Sequence, residues 1–99
     1  MIPLNLTTQA YDFQMTEGKI NPKPAENQGS LAGNAQKTVY NIGQVVNRLK
    51  SHSREETREA FAMLGNYLQA ISQAIRGDKQ AAGVSQKIDE ATKLIKKFK

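Results

Sequence analysis

Ninety-nine residues carry a net charge of +5, with 38% hydrophobic residues, one histidine and no cysteine. That length suits one small domain, and the missing thiols exclude disulfides, thiolate metal sites and thiol catalysis. No apolar run approaches the roughly 20 residues that span a bilayer, and Met1-Ile2-Pro3-Leu4-Asn5-Leu6 lacks the charged and apolar regions of a Sec-type leader.

Residues 1–29 read as a flexible or extended arm. They hold all three prolines (Pro3, Pro22, Pro24) and many Asn, Gln and Thr residues. Pro22 and Pro24 turn Asn21 and Lys23 away from helical backbone. Leu4/Leu6 and Tyr11/Phe13/Met15 alternate with period two, which lines apolar side chains along one side of an extended segment. Those five are the predicted docking anchors of the arm, on a partner or on the chain's own helices. The competing expectation is a disordered tail.

From Ser30 the period becomes helical. Ala32, Ala35, Val39, Ile42, Val46 and Leu49 form one apolar seam and predict a helix over about 31–50, with Ser30 or Asn34 as its cap. Ser53-Arg54-Glu55-Glu56 has the form of a capping box and opens a second helix, about 54–76, whose seam is Phe61, Leu64, Leu68, Ile71 and Ile75. Gly77 ends it and Asp78 caps a third, about 79–98, with Ala81, Val84, Ile88, Ala91, Ile95 and Phe98 as seam. Gly43 and Gly65, inside the first two helices, suggest close helix packing or, more sharply, a partner groove. The predicted fold is all-α: residues 30–99 as an antiparallel up-down-up three-helix bundle behind the arm. The 3,4 spacing also permits a helical hairpin that completes its core as a coiled-coil-like dimer.

Chemistry-bearing constellations are missing from the pattern. His52 sits between two serines in a loop, Asp89-Glu90 lies on adjacent helix faces, and Gly77-Asp78-Lys79 lacks the rest of a phosphate loop. No catalytic residue, cofactor or metal is expected, and the chain is read as non-enzymatic.

Charge is the remaining signal. Residues 1–30 sum to −1, and residues 31–58 and 59–99 to +3 each. An up-down-up topology would gather Arg48, Lys50, Arg54 and Arg58 with Lys93, Lys96, Lys97 and Lys99 at one pole, partly offset by Glu55, Glu56 and Glu59. Helix dipoles account for much of this clustering, though not for Arg54 and Arg58 at a helix start. The sequence therefore implies a bacterial or phage interaction, assembly or regulatory protein, cytoplasmic or virion-associated, with non-Sec secretion left open. Its partner is another protein or a second copy, engaged through arm and bundle. The alternative is a small basic nucleic-acid-associated protein whose pole contacts phosphates. Membrane attachment through Leu94, Ile95 and Phe98 is the weaker reading, because those residues are needed in the core.

Overall fold

A computed structural model describes residues 4–98, so Lys99 of the basic pole and residues 1–3 of the arm lie outside the described residues. Its elements are β1 (Ala10–Thr16), β2 (Lys19–Ala25), α1 (Leu31–Leu49), α2 (Arg54–Ala74) and, after a 3₁₀ turn at Lys79–Ala81, α3 (Ala82–Phe98). The chain is thus not all-α. An antiparallel β-hairpin precedes the three helices, where a disordered or merely extended arm was expected.

The hairpin follows from its turn. Glu17 and Gly18 have φ of 54° and 79°, the paired left-handed residues of a tight two-residue connection that matches strand twist. Thr16 then pairs with Lys19, and the register runs to Ala10 opposite Ala25. The prolines, which argued against order, fall where they do no harm. Phe13 lies opposite Pro22 and Tyr11 opposite Pro24. The Tyr11 amide donates to Thr38 Oγ1 (3.0 Å) and the Phe13 amide to Asp12 Oδ1 (2.8 Å), so neither is aimed at β2. Both prolines occupy pair positions that need no amide proton, as edge-strand prolines do.

Polar side chains of α1 then fasten the N-terminal segment. Asn34, fully buried, donates to the Leu6 carbonyl (2.8 Å) and Asn27 Oδ1 (3.0 Å) and accepts from the Gln28 amide (2.6 Å). Four and seven residues on, Thr38 takes the Tyr11 amide and Asn41 Nδ2 donates to the Tyr11 carbonyl (2.9 Å). This ladder on one helix face satisfies the backbone of a strand whose outer edge would otherwise be desolvated without partners.

α1 and α2 each begin on a capped turn. Ser30 Oγ accepts from the Gly33 amide (3.0 Å) and Ser53 Oγ from the Glu56 amide (3.2 Å). Glu56 does not complete a reciprocal box, because its carboxylate turns to His52 Nδ1 at 3.1 Å. Gly77, at φ 81°, ends the turn after α2, and Asp78 Oδ1 accepts from the Gln80 amide.

The three seams meet in one core with Leu6, Ala10, Phe13 and Ile20 of the N-terminal segment. Phe13 packs on Tyr67 with ring centroids 5.3 Å apart. The hairpin covers apolar surface that the three helices leave open. Gly43 and Gly65 are not sites of close packing: a Cβ built at either would meet nothing within 4 Å.

Candidate functional site

The expected arm anchors are committed to the interior. Leu6 and Phe13 are buried, and Leu4, Tyr11 and Met15 are half-buried against the core. The Tyr11 hydroxyl accepts from the Asn5 amide (2.9 Å), which ties the strand to the segment before it. An apolar edge free for a partner is not what these five residues form.

The basic residues divide into groups. The ends of α1 and α3 and the start of α2 share one hollow of about 340 Å³, lined by Leu49, Lys50, His52, Ser53, Arg54, Thr57, Phe61 and Phe98. There the Lys50 ammonium lies 5.0 Å over the Phe98 ring. Arg58, Lys93, Lys96 and Lys97 are exposed on α2 and α3 near the same end. Arg48 faces elsewhere, lining a hollow with Lys23 and Asp12 beside β1. None of these seven basic side chains forms an ion pair among the described residues.

The hairpin tip alters the electrostatics of this end. Glu17 and Gly18 lie against the first turns of α2, where they line a hollow with Glu55, Glu56 and Glu59. Four carboxylates thus flank the basic hollow; the hairpin adds Glu17 to the three of α2, and brings exposed Lys19 with it across the turn. Among the described residues, no group of His, Asp and Glu is placed to hold a metal ion.

A second surface is the one at which the sequence offers Gly43 as a partner groove, without naming its other lining residues as a site. Between α1 and α3 runs a groove of about 300 Å³, lined by Gln36, Val39, Tyr40, Gly43, Gln44 and Asn47 on one wall and Lys87, Glu90, Ala91 and Leu94 on the other. Tyr40 is the one large hydrophobic side chain left exposed among the described residues, at 60%. The Lys37 ammonium lies 5.4 Å from the centroid of its ring. The signal was present in sequence: residues 36, 39, 40, 43, 44 and 47 share a helix face beside the seam, with Gly43 at its centre.

Comparison with protein-family models, curated proteins and solved structures finds no match. The reading of this site therefore rests on its own chemistry. No helix among the described residues is long and apolar enough to cross a membrane.

Proposed function

We propose that this chain is a non-enzymatic interaction protein, of an assembly or regulatory kind, that engages another protein through its helical body. The observation that carries the reading is the α1/α3 groove with Tyr40 exposed on its wall. A tyrosine that offers a flat apolar face and a polar tip is a typical anchor of protein interfaces. The N-terminal segment is left out of the contact surface, because its apolar side chains support the core. A cysteine-free chain suits a reducing interior, in keeping with a cytoplasmic or virion-associated setting.

A second reading is contact with nucleic-acid phosphates through Lys50, Arg54, Arg58, Lys93, Lys96 and Lys97, which form no ion pair among the described residues. The flanking carboxylates of Glu17, Glu55, Glu56 and Glu59 weigh against it.

The test uses full-length chain as bait in extract of its native cell, washed at low and high salt, alongside Tyr40→Glu and an Arg54→Glu/Arg58→Glu double variant. A protein held at high salt and released by Tyr40→Glu supports the groove. Nucleic acid held at low salt only, and released by the double variant, replaces it with the second reading. Capture indifferent to both changes defeats both.

A further inference from the structure

Building on the proposed use of the α1/α3 groove, we infer that its occupant is an acidic amphipathic helix of a partner protein. Three properties of the groove lead there.

Its walls are two helices running the same way, since Lys50 at the end of α1 meets Phe98 at the end of α3. Side chains, not free backbone groups, line it, so it offers no strand edge for an extended peptide. A third helix laid along two others is the ordinary filling for such a seam.

Its floor is shallow where a helix would need to come close. Val39 and Ala91 are buried, Leu94 is half-buried, and Gly43 has open space where a Cβ would stand. Glycine inside a helix costs about 1 kcal/mol relative to alanine. No packing within the chain offsets that cost at Gly43. The apolar stripe of an incoming helix would meet Gly43, Ala91 and Leu94, with Tyr40 along its flank.

Its rim is positive. Lys37 stands over Tyr40, Lys87 lies on the α3 wall, and Lys50 stands over Phe98, one turn beyond Leu94, at the pole-ward end. The one carboxylate in the lining, Glu90, lies 3.6 Å from Lys87 Nζ and offsets that charge, so Lys37 and Lys50 supply the surplus. Carboxylates flanking the stripe of the incoming helix complement that rim. A second copy complements it less well, since two-fold pairing sets one net-positive rim against another.

The experiment titrates ¹⁵N-labelled full-length chain with three probes. The first is a synthetic peptide of about 18 residues with leucine at i, i+3, i+4 and i+7 and glutamate on both flanks. The second has the same leucines with lysine flanks, and the third is a short DNA duplex. The inference expects the glutamate peptide alone to move the amide signals of Gly43, Ala91 and Leu94. Its affinity should fall about tenfold or more in Tyr40→Glu and again in Lys37→Glu/Lys87→Glu, both of which alter exposed positions. Equal binding of the lysine peptide, shifts confined to the hairpin, or DNA moving the same signals would each overturn it. So would a concentration-dependent rise in mass of the chain alone that Tyr40→Glu abolishes. A partner captured through Tyr40 whose contacting segment is not acidic sinks this inference and leaves the proposed function standing. A bound glutamate peptide with no Tyr40-dependent partner does the opposite.

Discussion

Asn34 of α1 donates to the carbonyl of Leu6, 28 residues earlier in the chain, at 2.8 Å and out of contact with water. That bond and its neighbours at Asn27 and Gln28 attach the N-terminal segment to the first helix. Asn34→Ala strands the Leu6 carbonyl inside the protein and takes a partner from the amide of Gln28, an exposed residue. Each buried group left unsatisfied costs about 1–3 kcal/mol. Urea denaturation should show a loss in that range or above it. Hydrogen exchange should show the hairpin amides opening before those of α2.

At the hairpin tip, Glu17 holds φ 54° beside three other carboxylates. Side chains with a Cβ pay about 1–2 kcal/mol in this conformation, while asparagine tolerates it. Glu17→Asn should raise the thermal midpoint by several degrees, about what 1 kcal/mol gives in a domain of this size. Gly18→Ala, at φ 79°, should lower it.

The same tip explains what sequence reading missed. Alternation at Tyr11, Phe13 and Met15 announced an extended segment, but Glu-Gly is a weaker turn signal than Asn-Gly or Asp-Gly. Pro22 and Pro24 speak in the sequence only against helix, at Asn21 and Lys23. Their tolerance depends on register, a tertiary property set by which β1 amides turn to Thr38 and Asp12. The helical seams were legible because burial on one face imposes a period that survives in the sequence. Asn34, Thr38 and Asn41 repeat at nearly the same spacing, but Asn34 reads as a candidate cap and nothing in the pattern shows that a strand lies against all three. The groove was half legible: Gly43 marked it, while the lysines of its rim look like any charged helix surface.

Gly65 separates local preference from function. It lies inside α2, has no neighbour within 4 Å of a Cβ, and is not in the groove. Gly65→Ala should stabilise the fold by about 0.4–1 kcal/mol. Gly43→Ala should give a similar gain in the chain alone, while narrowing the groove. Chemical denaturation of both variants, compared with binding, distinguishes a glycine that is merely tolerated from one that serves contact.

Burial raises the pKa of the Tyr67 phenol above its ordinary value of about 10. The folded protein therefore keeps a proton that the unfolded chain gives up, and this dependence of stability on pH has one sign. The contribution is fully present below about pH 10 and is lost as pH rises through the folded value. Tyr67→Phe should flatten that alkaline fall while keeping the ring contact with Phe13. Urea midpoints measured at about pH 8 and about pH 11 should converge in the variant and diverge in the wild type.

Deleting residues 1–29 distinguishes a docking arm from a structural element. An arm could be cut away and leave a folded three-helix body. Here the cut removes Leu6, Ala10, Phe13 and Ile20 from the core and takes away the partners of Asn34, Thr38 and Asn41. Loss of one buried phenylalanine alone costs about 3–5 kcal/mol, close to the whole stability expected of a domain this small. The truncated chain should lose its cooperative thermal transition and expose apolar surface that binds a hydrophobic dye. Phe13→Ala should lie between it and the wild type. A truncated chain that melts cooperatively near the wild-type temperature would mean the helices hold their own core and the hairpin only rests on it.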